Sequence, residues 1–267
     1  MVQVTLLGVP HDANSSYLRG AALGPPLIRR EVFSDAYSLW SETGVDLSAP
    51  GALRDAGDLV FDDVADPWDV IRDGVAAACA DGPLICLGGD HAVSHPILRG
   101  IRSRHPRLGI LHIDAHADIY HAYQDNLRSH ASPFARIMEE GLAERLVQVG
   151  LRTLNHEHRA QFERFGVEAH DIRRLPDPAS LRFDTPVYIS VDIDALDPAF
   201  APGVSHREPG GLTTRQVIDF IQAVDAPIVG ADVVEFNPSC DIAGQTALVA
   251  AKLVKEIAGM MVRNNGG

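Results

Sequence analysis

The chain of 267 residues has no apolar run near the roughly 20 residues that a membrane-spanning helix needs. Its opening, MVQVTLLGVPHD, lacks the basic segment and cleavage site of a secretion signal. Both absences predict a soluble, cytoplasmic protein. Cysteine is scarce: Cys79, Cys86 and Cys240 are three in number and show no metal or redox spacing, which leaves reduced, mostly buried thiols. Positive charge is short as well, with 23 Lys and Arg against 36 Asp and Glu and a net charge of −13. That balance argues against nucleic acid or an anionic membrane as a partner and suits a cationic ligand. Internal repeats, low-complexity stretches and charge blocks are all missing. Gly88-Gly89 is not continued into G-x-x-x-x-G-K-[ST] or G-x-G-x-x-G, so nucleotide binding is not expected.

What is present is a large apolar fraction, 46%, arranged as short β-branched runs separated by longer Ala-rich segments. The runs predict strands over 2–7, 83–87, 108–113, 146–150, 187–192 and 227–233. Helices are predicted near 67–81, 94–104, 131–143, 155–165, 213–224 and 243–262. Near-continuous apolar strands alternating with helices argue for a parallel sheet covered on both faces. The Pro/Gly-rich segments around 24–26 and 198–211 read as loops within one domain spanning 1–267. The segment NSSYLRGAALGPPLIRR reads as a loop leading into a helix whose first turn accepts Pro.

Twelve histidines are a more specific clue, because several stand beside Asp. In LHIDAHADIY, Asp114, His116 and Asp118 occupy every second position directly after an apolar run. On an extended segment such residues point the same way, whereas on a helix they diverge. The carboxyl end of a parallel strand is also where open α/β sheets bind ligands. LICLGGDHAVSHP places His91 at a second strand end, and VYISVDIDALDP places Asp192 and Asp194 at a third. Four converging carboxylates repel one another unless cations neutralise them. An oxygen-rich set with two imidazoles and no thiolate suits a pair of Mn²⁺ ions, with Ni²⁺, Co²⁺ and Fe²⁺ left open. Two such ions about 3.5–4 Å apart can generate a strong nucleophile at neutral pH.

These stretches, GGDHAVS, DAHAD, SVDIDALDPAFAPG and GADVVEFNP, resemble the ureohydrolases, the family of arginases, agmatinases and related guanidino-hydrolases. The likeness runs from LLGVPHDANSSYLRG to TALVAAKLV, and DIYHAYQDNLRSHASPFARIMEEG most closely resembles plant-type arginases. The resemblance implies a single three-layer α/β/α sandwich with a central, mainly parallel sheet of eight strands, assembled as a trimer or hexamer. It implies that His91, Asp114, Asp118 and Asp192 hold one Mn²⁺ and that Asp114, His116, Asp192 and Asp194 hold the other. Asp118 would also orient the bridging hydroxide. By the same likeness Glu235 anchors a guanidinium, and His130 passes protons to the leaving amine. An imidazole near its ordinary pKa of about 6.5 suits that relay.

The expected reaction is hydrolysis of a guanidino compound to urea and an amine, with L-arginine first, agmatine second and guanidino acids after. Asn126, Arg128, Arg152 and His206 are the groups placed near enough in the sequence to meet the rest of the substrate. His112 is read as a core histidine or as one supporting the metal ligands. Two rival readings are a single-zinc deacetylase of related architecture and a metal-binding protein without turnover. The two bridging Asp positions argue against the first. Glu235 and His130 argue against the second.

Overall fold

The computed structural model describes residues 2–36, 38–61 and 65–266. One sheet of eight strands forms the middle layer: β1 Val4–Val9, β2 Leu53–Asp58, β3 Leu84–Gly88, β4 Gly109–Ile113, β5 Arg145–Leu151, β6 Glu168–Asp171, β7 Val187–Asp192 and β8 Ile228–Val234. Their order is β2-β1-β3-β8-β7-β4-β5-β6. Every pairing is parallel.

Among the described residues, seven α-helices cover the sheet: α1 Gly24–Val32, α2 Pro67–Ala78, α3 Ser94–Arg102, α4 Pro133–Glu139, α5 His156–Phe165, α6 Thr214–Gln222 and α7 Gln245–Asn265. Side chains of β3 show why both faces are covered. Ile85 and Leu87 join the core formed with α1, α6 and α7, whereas Leu84 and Cys86 join the core beneath α2, α3 and α4. A period of two with apolar residues in both phases is the signature of a strand buried on both sides. The three-layer arrangement is the one expected.

The elements that sequence patterning missed are instructive. β2 and β6 are the two edge strands. LRDAGD and EAHD contain no residue buried as core. An edge strand has one partner and less apolar cover, so it leaves little hydrophobic imprint. The segment around 24–26 is not a loop but the first turn of α1, with Pro in the N1/N2 positions. Proline suits that turn because its missing N–H would have no partner there.

The chain passes from β3 to β4 across two intervening strands, β8 and β7, which are laid down last. That reversal opens the crevice at the carboxyl ends of the strands, where the motifs converge. Gly89 sits at its base. A Cβ there would stand 2.0 Å from the carbonyl oxygen of His11, which accepts from the Asp90 N–H at 3.1 Å. The backbone of the loop after β1 therefore lies directly on the backbone after β3. Gly89→Ala is expected to lower stability by about 1–3 kcal/mol through this backbone clash. Urea denaturation monitored by circular dichroism checks it, and an unchanged midpoint would contradict the close approach.

Candidate metal centre and active site

Four adjacent strands, β3, β8, β7 and β4, deliver the polar cluster, and three of them end in the same local device. An Asp side chain accepts the backbone N–H two residues on: Asp90 Oδ1 from Ala92 at 3.1 Å, Asp114 Oδ1 from His116 at 2.7 Å, and Asp192 Oδ1 from Asp194 at 2.7 Å. Such Asx turns fix the carboxylate against its own backbone. They also correct the expected geometry. β4 stops at Ile113, so Asp114, His116 and Asp118 converge through a turn and not by alternation along a strand. Asp118 itself has φ 44°, in the left-handed region. Glu235, just past β8, has φ 63°. Backbone of this kind costs about 1–3 kcal/mol per non-glycine residue and is typical of functional sites.

With Oδ1 tied down, Oδ2 of Asp114 and of Asp192 each lie 3.1 Å from His91 Nδ1, and Asp118 Oδ2 lies 3.0 Å from it. On the other side, His116 Nδ1 is 3.2 Å from Asp194 Oδ2 and 3.7 Å from Asp114 Oδ1. Asp114 is thus shared by two groups of donors, His91–Asp114–Asp118–Asp192 and Asp114–His116–Asp194, each within 4.8 Å. The arrangement fits metal ions. A single hydrogen on His91 Nδ1 cannot serve three carboxylates, and the atom is aligned for a hydrogen bond with none of them. Among the described residues, Asp194 Oδ1 is likewise buried with no hydrogen-bond partner. Donors about 2.1 Å from an octahedral ion lie about 3 Å from one another, which is the spacing found around His91.

The electrostatics carry the same message. Burial, and then the charges of Asp194 and Asp114, push Asp192 well above the usual carboxylate range. Burial and Asp194 raise Asp114 to about 6. Burial opposes a charge on His91, but Asp114, Asp118 and Asp192 outweigh it and hold the ring's pKa far above the ordinary value. His116 is raised in the same way against burial, chiefly by Asp194. Asp194 is correspondingly held below the usual range, since His116 and then Arg152 overcome its burial. Without cations, the site gathers protons to offset its own negative charge.

Glu235 Oε1 accepts from the backbone N–H of His91 and from His130 Nδ1, both at 2.9 Å. Among the described residues, no hydrogen bond reaches Oε2. His130 Nε2 faces Ser16, 3.1 Å from its backbone nitrogen and 2.8 Å from its hydroxyl. The His130 pKa is not the ordinary one expected. Burial works against the charge, but Glu235, followed by Asp118 and Asp90, raises it to about 9.

A cavity of about 310 Å³ opens above the cluster and is lined by His116, Asp118, Asp192, Asp194, His130, Glu235 and His206. Ser16, Tyr120, Tyr123, Thr153, Asn155, His158 and Glu208 supply the remaining polar part of its wall. None of these seven stood out in the sequence. One rule would have found most of them: Ser16, Tyr120, Tyr123, Thr153 and Asn155 lie in the loops after β1, β4 and β5, at the same sheet end as the motifs. Of the four groups placed near the substrate from sequence, only His206 lines the cavity, within 6 Å (ring centroids) of His116, His130 and Tyr17. Asn126 is exposed and reaches Asn14 at 3.4 Å. Arg128 turns away to pair with both oxygens of Asp66 at 3.0 and 2.9 Å, stacked over Trp68. Arg152 holds the backbone carbonyls of Asp194 and Glu208 and so braces the cavity wall from behind.

Residues 2–259 match the model of the arginase family. The chain belongs to that family. Arginase 1, mitochondrial, of Arabidopsis thaliana is 46% identical, the match covering 95% of this chain and 80% of the relative. An N(1)-aminopropylagmatine ureohydrolase of Thermus thermophilus is 35% identical over 97% of this chain and 90% of its own. Among solved structures, the arginase from Medicago truncatula superposes with a TM-score of 0.92 at 42% identity, covering 97% of this chain and 87% of that one. As an arginase-family protein, the chain is a metal-dependent hydrolase of C–N bonds in small guanidino compounds. The expected cytoplasmic location is overturned: plant relatives from Arabidopsis thaliana, Medicago truncatula and Oryza sativa are named mitochondrial, one of them chloroplastic/mitochondrial. An opening segment without a leader pattern does not decide the compartment of an arginase-family chain.

The pairing of Arg128 with Asp66 makes a definite prediction. Arg128→Ala is expected to leave KM for the guanidino substrate within about twofold, because an exposed ion pair contributes about 0–1 kcal/mol and touches nothing in the cavity. A tenfold rise in KM in steady-state urea assays would put that guanidinium back at the substrate.

Proposed function

We propose that this protein hydrolyses L-arginine to ornithine and urea with two Mn²⁺ ions, acting as one domain within a trimer or hexamer. The observation that carries the reading is the convergence of Asp114, Asp118 and Asp192 on His91 Nδ1 at 3.0–3.1 Å, directly below a cavity that also holds Glu235. His91, Asp114, Asp118 and Asp192 would hold one ion. Asp114, His116, Asp192 and Asp194 would hold the other. When bound, the ions supply a water-derived nucleophile at neutral pH and lower the repulsion among the carboxylates.

The remaining chemistry falls to the chain. A guanidinium carbon is a poor electrophile because its charge is delocalised, so orientation counts heavily. Glu235 Oε2 is free to take the guanidinium by charge-assisted hydrogen bonds, while Oε1 is fixed by His91 and His130. Asp118, held by its left-handed backbone, faces the cavity beside the ligands and orients the attacking water. His130 is suited to deliver a proton to the departing nitrogen because Nε2 is served in both states of the ring. The Ser16 N–H donates to it when the ring is neutral, and the Ser16 hydroxyl oxygen accepts from it when the ring is charged.

Arginine is preferred over other guanidino compounds on the likeness to the plant arginases. The outer wall supports it with groups for both ends of an α-amino acid: Glu208 for an ammonium, and Tyr120, Tyr123 and Asn155 as donors for a carboxylate. Agmatine is the second reading, favoured by a specific observation: among the described residues neither Lys nor Arg lines the cavity, so its outer wall offers a carboxylate no guanidinium or ammonium partner.

Urea release after Mn²⁺ loading, with arginine, agmatine, 4-guanidinobutanoate and guanidine side by side, tests the proposal. Arginine should give the highest kcat/KM. A higher value for agmatine selects the second reading, and no urea from any of the four rejects both. Asp118→Asn is expected to nearly abolish turnover. His130→Ala should lower kcat by about 10²–10⁴-fold with two ions still bound, the range for loss of a general acid. Loss of metal in the His130 variant, read by elemental analysis, contradicts its assignment as a proton relay.

A further inference from the structure

Directly beneath the ligand cluster, four polar side chains form a row across four neighbouring strands. Gln148 on β5 pairs in register with His112 on β4, His112 with Ser190 on β7, and Ser190 with Asp232 on β8. All four are fully buried in a sheet whose interior is otherwise largely apolar. Such groups are retained in a core when their hydrogen bonds are largely satisfied, and among the described residues Gln148 Oε1 is the one polar side-chain atom of this row without a partner. Counting hydrogens along the row fixes its polarity.

At one end, Gln148 Nε2 donates to the carbonyl of Ala117 at 2.7 Å. A carbonyl can only accept, so this contact sets which way the amide faces. The second hydrogen of the same nitrogen goes to His112 Nδ1 at 2.9 Å. Nδ1 is therefore the acceptor nitrogen, and the ring proton sits on Nε2, 2.7 Å from Asp114 Oδ2. Phe134, stacked 3.9 Å from the His112 ring, holds its plane. His112 with His91 and Asp114 could be mistaken for a third metal group. The proton on Nε2 and the Gln148 N–H on Nδ1 leave no lone pair on the ring for a metal.

At the other end, Asp232 accepts three hydroxyl hydrogens: from Ser94 and Tyr188 at Oδ2 and from Ser190 at Oδ1, each at 2.6 Å. Ser190 has one hydrogen and uses it on Asp232. Toward His91 Nε2, 3.0 Å away, its oxygen can only accept. The proton of His91 is thereby drawn to Nε2, and Nδ1 is left to face the three carboxylates.

We propose that this buried row is the device that sets the metal-facing atoms: Gln148 and His112 present a fixed N–H to Asp114, while Asp232 and Ser190 hold the His91 tautomer that exposes Nδ1. The inference rests on the reading of the cluster as a metal centre. It names four positioning residues that touch neither substrate nor ion. Groups that support metal ligands in this way typically change affinity by 10–100-fold when removed.

The test uses the whole chain and Mn²⁺ alone, with affinity measured by chelator competition and bound ions counted. His112→Phe keeps the stack on Phe134 and removes the donor, and Ser190→Ala removes the acceptor. Each is expected to weaken Mn²⁺ binding about 10–100-fold at an unchanged circular dichroism spectrum. His112→Gln, whose amide can again offer an N–H to Asp114, should recover most of the loss. Parental affinity in both His112→Phe and Ser190→Ala overturns the proposal. So does a His112→Gln variant as weak as His112→Phe, since shape and not the donor would then be at work. Should the variants fail to fold, imidazole ¹⁵N–¹H correlation spectra of the metal-free parent decide: a proton on His112 Nε2 and none on Nδ1 is expected, and the reverse refutes it. Because no readout involves urea, failure to find a guanidino substrate would sink the functional reading and leave this result standing.

Discussion

Everything at the active end of this protein follows from gathering carboxylates where water is nearly excluded. Asp114 and Asp192 are at most 2% exposed, and Asp118 and Asp194 are no more than 7%. Charges of one sign at this burial are tolerated only when opposite charge lies among them. The strand interiors cannot supply it, because parallel strands covered on both faces demand apolar side chains. The carboxylates therefore sit at the strand ends or just past them: Asp192 closes β7, and Asp114 follows β4. There the Asx turn at Asp114 and at Asp192 spends one oxygen on the backbone and leaves the other to point inward. The same turn that ends each strand aims its carboxylate.

The topology makes this convergence unavoidable. β3, β8, β7 and β4 are neighbours, yet the chain visits them in the order β3, β4, β7, β8. His91, the Asp114–Asp118 stretch, Asp192–Asp194 and Glu235 come from distant parts of the sequence and meet only once the last strands are in place. β8 joins the halves. Its Asp232 gathers hydroxyls from α3 and β7, and Glu235 just beyond it receives the backbone N–H of His91. The strained backbone at Asp118 and Glu235 is tolerable because tightly packed strands and turns hold both sides of it.

Much of this was legible in the sequence, for a physical reason: buried parallel strands carry long apolar signatures, and the polar residues that interrupt their ends are conspicuous. Six strands and the six polar positions of the cluster could be read that way. β2 and β6 could not, because an edge strand such as LRDAGD has no full apolar face to display. The turn at Asp114 was hidden as well, since a strand alternating every second residue and an Asx turn place Asp-x-His in the same register. Arg128 and Arg152 illustrate a different blindness. A cation near a motif in sequence looks like a ligand for an anionic substrate, yet Asp66 claims the first and two backbone carbonyls claim the second. Competing partners from distant segments leave no local trace.

The histidines show how far residue type alone falls short of role. His91, His112, His116 and His130 all lie at or beside the cluster, and neighbours give each a different chemistry. His91 and His116 face carboxylates through Nδ1, but only His91 has Nε2 held, by Ser190. Burial drives His112 well below the ordinary imidazole pKa, and the charge of His91 lowers it further. Glu235 drives His130 the other way. A neutral ring with a committed proton can orient a carboxylate, a ring with a free lone pair can hold a cation, and a ring served in both states can move a proton. The difference lies in which hydrogen-bonding atom stands opposite each nitrogen: a Gln amide, a Ser oxygen already donating to Asp232, or a Ser that can both give and accept. One side chain is thus equipped for three different tasks within a few ångströms, by the partners opposite its nitrogens.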